Sequence, residues 1–557
     1  MTPDTFETTV PLRPASQVMR LERMGSFHQS RLSFMRILLR RMKAEQWHVE
    51  QRRFDIDGQG VGTALYTAHG PDRSYTLVAF GHDLPDDLRS DRVIAEAWDA
   101  TFTLFDGIPT EADVERLRAN VPLQEAGRIS ESELTLARAN KSVRLFEYVV
   151  DCLAKGEQPS ADKVQSVGYL MRTTAVYGSG KFGAADRDVI AARPECAAPF
   201  QVEMLTVYLI RCFVLDLIEH IAKARSTDAV VLAPALRRQF GIGNSTGLGM
   251  APFLLKHPML LNNWIASREE GLARVRSVPQ ATKAEVACFK DRFARSVKNA
   301  ATWSSSHELQ IAKLKDLRSD LDQLAGYLQG FEFNDRPWDR LYHWAEANLS
   351  IEGQEALVSL MMEPYPNLID GLSDCLGSDE SIGHQINGTQ TVAATRTLLD
   401  EFYGWTKTVK WQERGPQARA WYVSAEKLEP RLGERFEEPI ADYEQPLSPA
   451  RDAALFAQCL ADWPADTPIA EVLLKHPEHR HTARRLQLLD RCPYGEIRDN
   501  TIDEGMLPID MLRCKLAFFG AGHFDPRSDR WVRINMFMGA PFPNEIAETG
   551  DDWAYPT

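Results

Sequence analysis

Two glycine-rich stretches carry residue types that could handle a charged ligand. The first, LMRTTAVYGSGKFGAADRD over residues 170–188, sets Arg172, Thr173, Thr174, Tyr177, Ser179, Lys181 and Arg187 among glycines at 178, 180 and 183. Glycine lets backbone N–H groups approach an oxygen-rich ligand, and Lys or Arg beside them stabilises its charge. GSGKFG is not a phosphate-binding P-loop, because Phe182 follows Lys181 where that loop needs Ser or Thr. The bland reading is a glycine-rich turn whose basic groups pair with Asp186 and Asp188.

The second stretch is GIGNSTGLGMAPFLLKHPMLLNNW, residues 241–264, where Gly241, Gly243, Gly247 and Gly249 bracket Asn244, Ser245 and Thr246. A loop of this composition is costly in backbone entropy, so a ligand loop is the favoured expectation. The alternative is a tight helix entry capped by Ser245 or Thr246. Gly243, Ser245, Met250, Pro252, Lys256 and Asn262 fall in an order that resembles the mobile signature loop of the fumarase/aspartase superfamily. The resemblance covers about twenty residues and lies in the order of the residues, not in their spacing. It implies Ser245 as the base of an elimination. GNSTG is not GxSxG, so no esterase elbow is read here.

These residues assemble into one expected site. Arg172, Lys181 and Arg187 orient negative groups, with Thr173, Tyr177, Asn244, Thr246 and Lys256 as further substrate contacts. Lys181, Ser245 and His82 are the candidate catalytic residues, since a desolvated amine or an imidazole can move a proton at neutral pH. His82-Asp83 follows a strand-like run, where side chains can turn into a cleft. His28, beside a glycine and a serine, is a second plausible pocket group.

Other constellations read more simply. Asp216 and His220 share a helix face with Glu219 nearby and Arg211 earlier, and internal pairing explains them better than a metal centre. His476, His479 and His481 in KHPEHRH read as an exposed helix entry. Arg530 and Arg533 flank Trp531 and suit an anion or an ordinary edge strand. The eight cysteines lie no closer than 16 residues apart, so no short metal-ligand pair exists and no metal site is assigned.

The elements that must position these residues follow from period and punctuation. Residues 20–46 hold a basic amphipathic segment, and 47–82 read as three short strands separated by DGQG and HGPD. Another strand is expected within AEAWDATFTLFDG. Helices are expected at 110–121, capped by Thr110, and at 142–156, 201–224, 285–328, 335–362, 390–404, 451–462 and 482–490. KLEPRLGERFEEPIADYEQPLSPARD, residues 427–452, reads as a linker or surface excursion, and the stretch from Met511 to Pro543 as two strand-like segments around a turn. The expected fold class is α+β: a predominantly helical central body with small antiparallel β-sheet elements near both ends. The expected regions are 1–125 with the β-meander, 126–426 as the helical core bearing the glycine-rich segments, and 427–557 packed on that core.

Composition bounds the function. The chain has 557 residues with 64 Lys+Arg against 78 Asp+Glu, a net charge of −14, and is 44% hydrophobic. That balance argues against a general nucleic-acid binder while permitting a local cationic pocket. The run at 204–218 is broken by Arg211 and Asp216 and is short for a membrane span; no secretory signal is apparent, and a cytoplasmic location is expected. The leading expectation is an enzyme acting by acid–base chemistry on a small anionic or polar metabolite, a lyase or isomerase, with a homo-oligomer possible. A flavin-dependent oxidoreductase and a non-enzymatic helical assembly protein are the alternatives; the sequence names no cofactor.

Overall fold

The computed structural model describes residues 8–85, 97–123, 130–174, 183–184, 190, 192–246, 258–303, 308–377, 385–411, 449–495, 508–520, 523–526 and 532–555. The chain forms two units, each drawn from three stretches. One comprises Met1–Ser26, Gly247–Ala281 and Glu332–Cys514; the other comprises Phe27–Thr246, Thr282–Phe331 and Lys515–Thr557.

The second unit is built on one mixed sheet. Its strands are β1 (His48–Ile56), β2 (Gly62–His69), β3 (Ser74–Gly81), β4 (Ala100–Asp106), β5 (Glu133–Lys141), β6 (Tyr169–Thr173), β7 (Gly183–Ala184), β8 (Gly241–Thr246), β9 (His523–Pro526) and β10 (Val532–Met536). Their order is β1-β2-β3-β4-β5-β6-β8-β10-β9, with β7 also on β5. The expected small sheets near the two ends are therefore replaced by a single large sheet. The reason lies in the nine-residue β5 and the shorter β6 and β8, strands within a region read as helical, which join the N-terminal meander to the C-terminal pair. β6 and β8 run parallel, and the helix Gln201–Arg225 lies in the connection between them.

The meander forms from local signals. β1, β2 and β3 pair antiparallel in sequence. In the first turn the Asp57 carboxylate accepts hydrogen bonds from the N–H groups of Gln59 and Val61, both at 2.9 Å. Gly60 takes φ +88°, a conformation open to glycine. Thr110 caps the helix Glu111–Asn120 through a full capping box with Asp113. Val114, Leu117 and Val121 pack with Leu65, Val78, Phe80, Phe105 and Leu136 of the sheet. The helix Gln201–Arg225 covers the other face. Its Phe213 ring meets those of Phe54, Tyr66 and Phe102 at 5.6–6.5 Å, and Thr206 shares a 3.0 Å hydrogen bond with Thr135.

The C-terminal stretch departs from the strand reading in its first half. Pro508–Phe519 is a helix, and only β9 and β10 form the antiparallel pair. The expected excursion at 427–452 falls mostly outside the described residues, and Pro449 already begins the helix Pro449–Ala461.

The first unit is helical. The helices Val392–Tyr403, Pro449–Ala461, Ile469–Lys475 and Arg480–Leu489 close a core around Leu399, Phe456, Val472 and Leu486. Elsewhere in it, Arg13 is buried in ion pairs with Glu269 at 2.7 Å and Glu355 at 2.8 Å. Arg23 reaches Glu355 at 3.2 Å, and Arg268 reaches Glu269 at 2.9 Å. Among the described residues no helix is long and apolar enough to cross a membrane.

Candidate active site

β6 and β8 are the strands that lead into the two glycine-rich stretches, and they are hydrogen-bonded neighbours. Arg172 stands opposite Gly243, and the Asn244 side-chain amide donates to the Thr173 carbonyl oxygen at 2.9 Å. Arg172, Thr173 and Asn244 therefore come together in one strand pair. Alternation then divides them between the faces of the sheet. Thr173 pairs with Ala139, on the face that the helix Gln201–Arg225 covers, and Asn244 shares that face. Arg172 pairs with Asn140 on the opposite face.

The stretch read as a glycine-rich ligand loop begins instead as strand: Gly241–Thr246 is β8. Its glycines serve close packing. A Cβ on Gly243 would stand 2.8 Å from the Arg172 Cγ and from the Tyr169 ring, and one on Gly241 would stand 2.4 Å from the Met536 carbonyl oxygen. The mobile loop implied by the fumarase/aspartase resemblance does not occur over these six residues. Of Ser245 and Thr246 only the backbone is described, paired with Arg533 and Val532 of β10. Tyr177, Lys181, Arg187 and Lys256 lie outside the described residues.

The chain after β6 returns to the same partner strand. The Thr174 N–H donates to the Arg138 carbonyl at 2.9 Å, and Gly183 pairs with Leu136. The partner strand thus moves two residues while this strand moves nine.

A polar row crosses the face that bears Arg172. Nearer the helix Glu111–Asn120 this face is apolar, through Phe80 and Leu136. Two residues beyond Leu136 it presents Arg138, and then Asn140. Arg138 stands in register with Thr101, and Asn140 with Arg172. The Arg138 guanidinium lies 4.9 Å over the Trp98 ring. Tyr169 and Arg144 extend the row, with Arg144 Nη2 3.4 Å from the Tyr169 hydroxyl.

His82 closes this row at its other end. Its Nε2 is 2.8 Å from the Thr101 hydroxyl, and its N–H donates to the Asp99 carbonyl oxygen at 2.9 Å. The buried Asp99 carboxylate accepts from the Lys141 N–H, and the Asp99 N–H donates to the Asn140 side chain. Burial pushes the His82 imidazole below the usual histidine value, with Asp99 acting in the opposite sense. The ring is therefore predominantly neutral at pH 7, the form that can accept a proton. At ordinary strand spacing His82 stands about 10 Å from Arg138 and about 14 Å from Arg172. Three strands stand between it and β8, so the Ser245 backbone lies about 19 Å away at ordinary strand spacing.

Sequence reading missed Asp99, Thr101, Arg138 and Asn140. The available signal was the alternation in TLARANK, where Arg138 and Asn140 share a parity and alanines fill the other. The helical constellation is internally paired: Arg237 binds Asp216 at 2.8 Å and Glu219 at 2.9 Å, while Arg211 Nε donates to the Phe240 carbonyl at 2.7 Å. His28 is buried against the Tyr555 ring. His476 is half-buried, whereas His479 is buried against Phe456. Burial pushes the thiols of Cys196 and Cys212 up to about 12, which keeps both protonated at neutral pH.

The chain matches no protein family, no curated protein and no solved structure.

Proposed function

We propose that the chain is an enzyme that moves a proton on a small anionic or polar metabolite, as a lyase or isomerase does. The observation that carries this reading is the shared face of His82, Arg138 and Arg172. A neutral imidazole at one end can take a proton, and guanidinium groups at the other can hold a carboxylate or phosphate in a fixed orientation. Fixing that anion two to three strands from the base orients a small molecule along the row. It also turns binding into an effectively intramolecular encounter. Thr101, Asp99 and Asn140 hold the connecting row by hydrogen bonds, so the groups need little reorganisation. Metabolites in this proposal carry an acidic C–H beside a carboxylate or phosphorylated carbon.

The test is proton exchange. The full chain is incubated in deuterated buffer with a panel of hydroxy-, keto- and amino-dicarboxylates and sugar phosphates, and deuterium entry is followed by NMR. We expect one compound to exchange, with His82→Gln lowering the rate at least about 100-fold. Arg138→Gln is expected to raise the concentration needed for half-maximal rate by about 10-fold or more. Exchange that survives both substitutions, or an absence of exchange throughout the panel, overturns the reading.

A further inference from the structure

β1 stands at one end of the strand order, two strands from β3, at whose end His82 lies. His48 and His69 are cross-strand partners on β1 and β2. Their rings stack with centroids 4.5 Å apart and planes within 16°. Glu50, two residues along β1, shares the His48 face.

Three features distinguish this pair from an ordinary aromatic stack. His69 Nδ1 lies 2.9 Å from the Ser74 hydroxyl. In the tautomer whose Nδ1–H donates to that oxygen, Nε2 keeps a lone pair. This is the second-shell arrangement that fixes an imidazole for metal binding. The lone pair lies 3.5 Å from Glu50 Oε2, long for a hydrogen bond. That span is close to the roughly 3.4 Å between two N or O ligands on a tetrahedral zinc-sized ion. Finally, His48 is exposed and makes no hydrogen bond or ion pair among the described residues.

We propose that this edge hairpin binds one divalent transition-metal ion. His48 and His69 supply imidazole nitrogens, Glu50 supplies a carboxylate oxygen, and water fills the remaining positions. Among the described residues no three His, Cys, Asp or Glu side chains already stand as a ligand set. The ion therefore completes the site by turning the exposed His48 ring and drawing Glu50 from Arg52, whose Nε lies 3.8 Å from the same carboxylate oxygen. Two imidazoles and one carboxylate suit nickel, zinc or copper(II) better than magnesium or calcium. By joining β1 to β2 through side chains, the ion stabilises the edge strand in proportion to its occupancy.

The experiment titrates the full chain with Ni²⁺, which imidazole favours, following heat of binding and the melting temperature. The wild type is expected to bind one more ion than His48→Ala or His69→Ala and to melt higher when loaded. The double variant is expected to lose no more than either single one, because both rings serve one ion. Glu50→Gln is expected to weaken binding about 10-fold. The metal-free melting temperatures of the His48 and Glu50 variants should match the wild type, since both side chains are exposed. Equal stoichiometry in the wild type and both histidine variants overturns the proposal. So does binding that one histidine alone sustains.

Discussion

His82 shows how burial turns an ordinary residue type into a candidate base. Its type and its place after a strand were legible in the sequence; its partners were not. Thr101 and Asp99 reach it only through the pairing of β3 with β4. The depressed imidazole also links stability to pH. In the unfolded chain His82 takes a proton near its ordinary value of 6.5, while the folded chain resists doing so until lower pH. The unfolded state therefore binds more protons as pH falls through 6.5, and the folded state loses stability in that window. Burial also depresses His479, which adds to the same loss. His82→Gln keeps a side chain able to hydrogen-bond Thr101 but cannot take up the proton. Its urea midpoint should fall less than that of the wild type between pH 7.5 and pH 5.5. Parallel curves for the two proteins would show that His82 does not titrate differently on folding.

At the scale of the element, periodicity was a good guide where long elements make their own contacts. The helices Glu111–Asn120, Gln201–Arg225 and Arg480–Leu489 and the three strands of the meander all form where apolar spacing and turn residues place them. β6 and β8 were not legible as strands, because each is short and polar groups interrupt it. In β8, glycine spacing suggested mobility, whereas tertiary packing uses the missing side chains to admit Arg172 and Tyr169. Gly243→Ala tests that explanation. The added methyl group meets Arg172 and Tyr169 at 2.8 Å, so one of them must shift. We expect a loss of about 1–3 kcal/mol, typical of overpacking, from urea unfolding. The same shift should weaken ligand-dependent proton exchange in the variant. An unchanged midpoint would mean that the position is roomier than its contacts indicate.

Across the whole molecule, the net negative charge conceals arginines that are used inside, and composition could not reveal them. In the helical unit Arg13 bridges Glu269 and Glu355. In the sheet unit Arg36 and Arg40 reach Asp551 at 2.7 and 3.0 Å, with Arg31 at 3.6 Å. Burial opposes ionisation of Asp551, but the arginines win and hold its carboxyl down to about 2. The partners lie hundreds of residues apart, so spacing gave no cue to either cluster. Removing one member leaves buried charges with fewer opposite partners, although Glu355 keeps Arg23 and Glu269 keeps Arg268 when Arg13 is lost, and this costs more than losing an exposed ion pair. Arg13→Met and Asp551→Asn should each lower the total unfolding free energy by about 3–5 kcal/mol. The clusters have no residue in common, so the double variant should lose the sum of the single costs to within about 0.5 kcal/mol. Urea unfolding at pH 7 measures all three. A double variant that loses no more than the worse single one would show that a shared element couples the two clusters.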